Sequence, residues 1–313
     1  MKKVLVFGGS GFIGRYLVCE LVARKYSVTV YTRNHEKAAR LKLFGRLGQV
    51  DIVCGKLSDA ALIQKLIADC DVIVNLVGTI SDPRGAVLQY LHVTFPSNIA
   101  KLATKHGKMF VHFSAMGADI AKTSSYAQSK LEGEKRIRNV CENAVILRPN
   151  LVFGDGDNFF NKFANLARVA PFMPLFGGGK GLLQPVHVDD VVNVAMDLIV
   201  NQASSETYEV AGPTVYSLKD LIKFVLVATG RKKPMLSIPS KMAKFIAYIC
   251  EIKIVSFILQ PATGSSEPIV TRDQVELMKY DIILPDSSNV RKGKTTIEEI
   301  VPEYLKIYEK ASN

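Results

Sequence analysis

No stretch of this chain reaches the ~20 consecutive apolar residues of a membrane-crossing helix, so a spanning segment is not expected. The opening, MKKVLVFGGSG, has two lysines and then an apolar run too short for a signal peptide. A cytoplasmic protein is therefore anticipated. Cysteine is scarce, with Cys19, Cys54, Cys70, Cys141 and Cys250 making five. None forms a close metal-binding pair or a disulfide-like framework, so they read as reduced thiols, mostly buried as small hydrophobes. Basic residues exceed acidic ones, for a net charge of +11. They are spread along the chain, and no basic motif is interleaved with aromatics. Nucleic acid is not an expected partner, whereas an acidic protein or an anionic membrane surface fits the charge.

What is present is globular. The hydrophobic share is 48% and the charged share 22% over 313 residues. That supports one large domain or two modest ones. Residues 3–7, KVLVF, read as a strand. Gly8-Gly9-Ser10-Gly11-Phe12-Ile13-Gly14 follows, then a helical pattern to about Lys25. Gly8 and Gly11 permit a tight path and close approach of a phosphate, and Gly14 permits close packing of helix on strand. The helix N-terminus offers free amides to a pyrophosphate. A tight turn in an empty α/β domain is the bland alternative.

The pattern repeats. Strands are expected at 27–31, 50–54, 71–78, 108–113 and 144–147, separated by helices. This implies an α/β fold, a Rossmann-like doubly wound parallel sheet, with its ligand beyond the strand C-termini. At the end of the second strand the residues are Tyr31-Thr32-Arg33-Asn34-His35. There is no acid to grip a ribose diol. Arg33 places a cation where a 2′-phosphate could sit, which points to NADP(H) ahead of NAD(H). A solvated arginine at a strand end is the alternative.

Ser114 follows the strand MFVHF, and residues 124–140 read as a helix. On it, Tyr126 and Lys130 are i and i+4 and share a face. A nearby ammonium would favour the phenolate of Tyr126, and the phenol could pass a proton to a carbonyl oxygen held by Ser114. Three readings stay open: an active triad, an unused inherited pair in a nucleotide pocket, and a surface pair.

Beyond Pro149 the composition shifts to glycine, proline and bulky apolar residues, as in a substrate cover. Its aromatics read as core packing, with the lining of a quinone-like pocket as the alternative. His187-Val188-Asp189-Asp190 contains one histidine and no closed ligand set, so a strand end feeding an Asp-capped helix is expected rather than a metal site. Ser217 and Asp220 suit a capping box. Residues 241–260 read as a helix on which Lys241, Lys244 and Glu251 share a face and Lys253 does not. The rest of its surface is broadly apolar, suiting core packing, a protein partner or a membrane surface. Residues 295–311 look like a charged amphipathic helix. The chain divides into a nucleotide-binding part, 1–150, and a smaller substrate or docking region, 151–313, interleaved with it.

The motifs GGSGFIG (8–14), NLVG (75–78), HFSAMGAD (112–119), SYAQSK (125–130), LRPNLVFGDGD (147–157) and QPVHVDDVV (184–192) resemble the atypical, extended branch of the short-chain dehydrogenase/reductase superfamily. With TRDQVELMKYD (271–281) they are similar to the NDUFA9-like family, related to an accessory subunit of respiratory complex I and to proteins of ubiquinone biosynthesis. The resemblance implies that Gly8, Ser10, Gly11, Phe12, Ile13 and Gly14 surround a pyrophosphate. It implies Arg33 at a 2′-phosphate, Val77 and Gly78 on the adenosine side, and Pro149 and Asn150 beside a nicotinamide. It gives Ser114, Tyr126 and Lys130 the catalytic or nicotinamide-side places. Two departures stand out: Gly55-Lys56-Leu57 where many relatives carry an acid, and Thr94 where many carry asparagine. The implied functions are an NADP(H)-dependent oxidoreductase acting on a carbonyl or quinone-type substrate, or a non-catalytic accessory or assembly subunit of NADH:ubiquinone oxidoreductase. Either would sit in a respiratory or quinone-biosynthesis complex, at the cytoplasmic face of the inner membrane if it docks peripherally.

Overall fold

The structure, a computed structural model, describes residues 1–80, 82, 86–251, 271–285 and 289–309. Six strands come from the first half: β1 (Lys3–Phe7), β2 (Ser27–Thr32), β3 (Val50–Cys54), β4 (Val72–Asn75), β5 (Met109–Phe113) and β6 (Val145–Pro149). All six lie where the valine-rich runs place them. Two more strands, Thr207–Ala211 and Val290–Lys292, complete an eight-stranded sheet. Its order from one edge is Val290–Lys292, Thr207–Ala211, β6, β5, β4, β1, β2, β3, and every neighbouring pair is parallel. These last two strands escape a periodicity reading. Both are short and lie among loops, and pairing with β6 and with each other stabilises them.

Both faces of the sheet are covered, and β1 alternates between them. Val4 and Val6 pack with Leu17 and Leu21 of α1 (Phe12–Ala23) and with Val191 and Ala195 of the helix Val188–Val200. Leu5 and Phe7 point the other way, onto Ile63, Ile67, Ile99 and Ile137. Apolar residues on both faces are what a buried parallel sheet requires. The chain runs from β1 outward through β2 and β3, then returns to β4 on the other side of β1. That reversal opens a crevice at the C-terminal ends of β1 and β4.

A second core forms beyond residue 150, from Phe153, Phe160, Phe163, Leu221, Ile222 and Val301. Its phenylalanines stack edge to face, with the Phe159 and Phe160 centroids 5.2 Å apart. The aromatics of this region are therefore core rather than the wall of an open pocket. Ser217 and Asp220 do form the capping box of the helix Leu218–Ala228.

His187, not an aspartate, holds the cap position before Val188, and its side chain makes no capping bond. Asp190 instead accepts the N–H groups of Lys294 and Thr295, both at 3.0 Å, tying down the segment after the edge strand. On the helix Ser240–Cys250, Lys244 pairs with Glu276, and Glu251 just beyond it pairs with Arg272, so both charges meet the helix Arg272–Leu277. Met242, Phe245, Tyr248 and Ile249 are large apolar side chains left exposed on this helix. Residues 252–260 of that expected helix lie outside the described residues. The C-terminal helix covers Ile297–Leu305, opens on a Thr296–Glu299 capping box and ends in a short 3-10 turn, while residues 310 and 311 lie outside the described residues.

Candidate nucleotide and proton-transfer site

The glycine loop joins β1 to α1 at the sheet crevice. Gly8 has φ +82°, and a Cβ there would sit 3.1 Å from the carbonyl carbon of Leu76 and 3.2 Å from the nitrogen of Val77. The loop thus lies against the end of β4, and only glycine fits it without strain. A Cβ on Gly14 would overlap the Gly8 carbonyl oxygen and the Gly9 backbone. Gly11 caps α1 with no side-chain bond, and its first turn contains no acid. The amides of Phe12, Ile13 and Gly14 are left facing the crevice end, the donors a pyrophosphate needs. Ser10 reaches across to Thr32, Oγ to Oγ1 at 3.2 Å, linking the loop to the end of β2.

Arg33, next along, is exposed and has no ion-pair or hydrogen-bond partner among the described residues. Lys56 is exposed as well, and its carbonyl accepts the buried Tyr31 hydroxyl at 2.7 Å. Gly55 must be glycine, because a Cβ would overlap that hydroxyl.

Asn75 closes β4 and organises the crevice floor. Its Oδ1 accepts the Val77 N–H at 3.1 Å, which turns its amide nitrogen toward His112 Nδ1, also at 3.1 Å. His112 Nδ1 is therefore an acceptor, and the proton sits on Nε2. That Nε2 is buried with no partner. Two residues on, the buried Ser114 hydroxyl is also unpartnered. Phe110, His112 and Ser114 alternate onto one face of β5. Two orphaned buried groups at a strand end are rare enough to need a cause.

Lys130 lies beside them. It is 5% exposed, and its Nζ donates to the Phe113 carbonyl at 3.0 Å. Burial pushes its ammonium down to about 8, against an upward pull from Glu134. The ammonium lies 6.0 Å from the Tyr126 ring centre. A Cβ on Gly78 would come within 3.4 Å of it and 3.2 Å of His92 Nε2, so Gly78 leaves room at the amine. Ser114, Tyr126, Lys130 and Gly78 are thus gathered at one end of the sheet.

One expectation is reversed. Tyr126 is not drawn toward phenolate: burial first, then the charge of Asp273, pushes it up to about 12. The Lys130 ammonium is held against the Phe113 carbonyl and does not offset this. Thr94 is also displaced from the role its place in the sequence suggests. It is exposed, on the last residue of a π-helical turn, Gln89–Thr94. His92, two residues earlier, fills the interior. Its Nε2 accepts the Thr79 N–H at 3.2 Å, so Nδ1 carries the proton and donates to Ser129 Oγ at 2.9 Å; Ser129 in turn donates to the Tyr126 carbonyl at 2.8 Å. Burial and then Lys130 push His92 down to about 2, so it stays neutral. A widened turn was the missing signal, and such turns are common at functional sites. Gly133 allows it: a Cβ there would overlap the His92 carbonyl oxygen.

Asn150 is buried and occupied. Its Nδ2 donates to the Ile282 carbonyl at 2.8 Å, and its Oδ1 accepts the Gln184 N–H at 3.1 Å. Pro149 precedes it at the end of β6, with its carbonyl accepting the Met116 N–H at 3.1 Å. Nearby, the buried Asp157 carboxylate collects the N–H groups of Phe159 and Phe160 at 2.8 and 2.7 Å and the Tyr304 hydroxyl at 2.5 Å. This fixes the loop 154–157 over α1, where Arg15 pairs with Asp155.

The donors fit a dinucleotide. A glycine cradle, uncapped helix amides, an orphaned hydroxyl and a buried amine lie along one crevice. A profile of the NAD dependent epimerase/dehydratase family matches residues 4–211. The chain is 29% identical over 308 residues to the mitochondrial NADH dehydrogenase (ubiquinone) 1 alpha subcomplex subunit 9 of Arabidopsis thaliana, covering 97% of this chain and 75% of that protein. It is 32% identical over 294 residues to the protein of the same name in Mus musculus, covering 90% and 72%. A dTDP-glucose 4,6-dehydratase from Streptomyces venezuelae, solved with NAD bound, superposes with a TM-score of 0.66 at 20% identity, over 76% of this chain and 84% of that one. The likeness in fold runs with the match in sequence, and this chain belongs to the NAD dependent epimerase/dehydratase family.

Proposed function

We propose that this protein binds NADP(H) in preference to NAD(H) and serves as an oxidoreductase for a carbonyl or quinone-type substrate, in association with a respiratory NADH:ubiquinone oxidoreductase or with quinone biosynthesis. The observation that carries the reaction is the unpartnered, buried Ser114 hydroxyl at the strand end that also holds Lys130. When bound, the nicotinamide supplies or accepts the hydride. Gly8, Ser10, Gly11, Phe12, Ile13 and Gly14 would hold the pyrophosphate, with Val77 and Gly78 on the adenosine side and Pro149 beside the nicotinamide. Arg33 is the cation for a 2′-phosphate. Ser114 would donate to the substrate oxygen, Tyr126 would carry the proton to or from it, and Lys130 would hold the ribose.

A second reading, a non-catalytic nucleotide-holding accessory subunit, is favoured by two observations. Tyr126 is pushed up to about 12, which resists ionisation. The relatives similar over most of the chain are named as subunits of NADH dehydrogenase (ubiquinone). The partner assignment rests on the same relatives. Among the described residues no helix is long and apolar enough to cross a membrane. The exposed row Met242, Phe245 and Tyr248 supports peripheral docking at the cytoplasmic face of the inner membrane.

Complementation separates the readings. In cells lacking the native gene, Tyr126→Phe should abolish function under the catalytic reading while NADPH binding persists. Gly11→Trp should abolish function under both. A normal phenotype for Tyr126→Phe beside a null for Gly11→Trp defeats the catalytic reading.

A further inference from the structure

The N-terminus of the helix that carries Tyr126 is closed from far away in the chain. Ser124 caps this helix, Ser125–Val140, with its Oγ accepting the Ala127 N–H at 3.1 Å. Such a cap satisfies one of the free amides at a helix start. Here Asp273 adds three bonds: its carboxylate accepts the Ser124 hydroxyl at 2.6 Å, the Ser125 N–H at 2.6 Å and the Tyr126 N–H at 2.9 Å. Asp273 lies in the first turn of another helix, Arg272–Leu277, which Thr271 and Gln274 close with their own capping box. Its carboxylate is not needed for that box and is aimed at the neighbouring helix.

The segment carrying Asp273 is itself anchored on both sides. Glu276 accepts the Thr123 hydroxyl at 3.1 Å and pairs with Lys279 and with Lys244 of the helix Ser240–Cys250. The Tyr280 and Thr123 hydroxyls are 3.1 Å apart. Arg272 binds Glu251 through both its backbone N–H and its guanidinium, each at 2.8 Å. These pairs set where the Asp273 carboxylate stands relative to residues 123–126.

We propose that Asp273 is a positioning residue for Tyr126: it locks the backbone of the tyrosine and places a negative charge at the helix start from which the ring projects. The inference rests on the proton-transfer role proposed for Tyr126. Three titratable groups surround Tyr126 from three elements: Lys130 on its own helix and His92 from the π-helical turn lie near the ring, at 6.0 Å from its centre and 5.4 Å between ring centres, while Asp273 of the Arg272–Leu277 helix accepts the Tyr126 N–H. His92 is neutral and Lys130 is turned to the Phe113 carbonyl, which leaves Asp273 as the close anion. A carboxylate there disfavours a second negative charge on the phenol, in keeping with the upward push on Tyr126. The same carboxylate meets the positive end of the helix, where an anion is stabilised. Asp273 thus fixes the start of the tyrosine's helix and, after burial, adds to the cost of ionising the phenol.

The test is a pH titration of the full-length protein carrying tyrosine labelled with carbon-13 at Cζ, with the Tyr126 signal assigned by its loss in Tyr126→Phe. Asp273→Asn keeps the size and one acceptor and removes the charge. The Tyr126 ionisation should then move down by about half a pH unit or more, roughly a threefold change in its ionisation constant. Asp273→Glu, which keeps the charge, should stay nearer the wild type. An unmoved Tyr126 titration in folded Asp273→Asn overturns the proposal. Should Asp273→Asn not fold, amide hydrogen exchange in the wild-type protein decides. Ser125 is solvent-exposed, so slow exchange at Ser125 and Tyr126 requires the carboxylate bonds, and unprotected amides overturn them. None of these readouts needs turnover. A shifted titration with a dispensable Tyr126 hydroxyl would uphold the positioning and reject the catalytic reading alone.

Discussion

The imidazole of His92 meets the ring of Tyr126 edge to face, with centroids 5.4 Å apart and planes at 85°. Both hydrogen bonds of this neutral histidine are spoken for, by the Thr79 N–H and the Ser129 hydroxyl. Protonation would force Nε2 to give up the Thr79 donor, so the fold resists it. The sign follows from the depressed value of about 2. The folded state takes up a proton later than the unfolded chain, whose histidine titrates near ~6.5. The stabilisation is therefore present above that value and is lost as the pH falls toward about 2. Urea unfolding of the wild type across this range should show stability dropping, with His92 adding a slope of up to about 1.4 kcal/mol per pH unit. His92→Gln should be less stable near neutrality and lose stability less steeply in acid. Parallel curves for the two proteins would show that His92 is not held neutral.

Arg33 governs the choice of nucleotide under the function proposed here. It stands exposed beyond β2, one residue after Thr32, whose hydroxyl meets Ser10 of the glycine loop. Titration of the purified protein should give tighter binding of NADPH than NADH. Arg33→Ala should narrow the gap without affecting thermal stability. Equal or reversed affinities in the wild type would remove the assignment.

Lys130 predicts a pH dependence of binding. Held down to about 8, its amine is charged below that pH and neutral above it in the free protein. NADPH affinity should therefore weaken as the pH rises through about 8. Lys130→Met should bind more weakly and lack that step, while remaining folded, because it removes a buried charge and keeps an apolar stem. A step of unchanged size in Lys130→Met would assign it to another group.

Gly14 tests the cradle. A side chain there overlaps the Gly8 carbonyl and the Gly9 backbone, neither of which can move without shifting the loop. Gly14→Val should destabilise the protein by roughly 1–3 kcal/mol and abolish nucleotide binding. Denaturant unfolding with a matched NADPH titration reads both. Wild-type stability and affinity together would contradict the packing described.

The helix Ser240–Cys250 tests peripheral docking. Phe245 is 64% exposed and Tyr248 53%, on a face whose inward neighbours Ala243 and Ala247 are buried. The protein should co-sediment with anionic liposomes and be released by high salt or carbonate. Phe245→Glu should cut that binding several-fold and leave NADPH affinity alone. Recovery of the wild type wholly in the supernatant would reject the membrane surface.

Much of this protein is legible locally. Valine-rich runs mark β1 to β6, because a strand buried on both faces needs apolar side chains in both directions. Glycines three apart mark the tight turn from β1 into α1, because close backbone approach excludes a Cβ. Tyr126 and Lys130, four apart, mark one helix face. The tertiary structure decided the rest. The strands Thr207–Ala211 and Val290–Lys292 depend on the edge they extend rather than on a pattern of their own. That His92 and not Thr94 enters the site depends on a π-helical turn, whose shifted register breaks the helical periodicity. That the Tyr126 phenol is pushed up rather than drawn toward phenolate depends on burial first and then on Asp273, 147 residues away. Periodicity and spacing describe what neighbouring residues can do together, whereas charge, burial and hydrogen-bond partners at a site come from segments that only folding brings into contact.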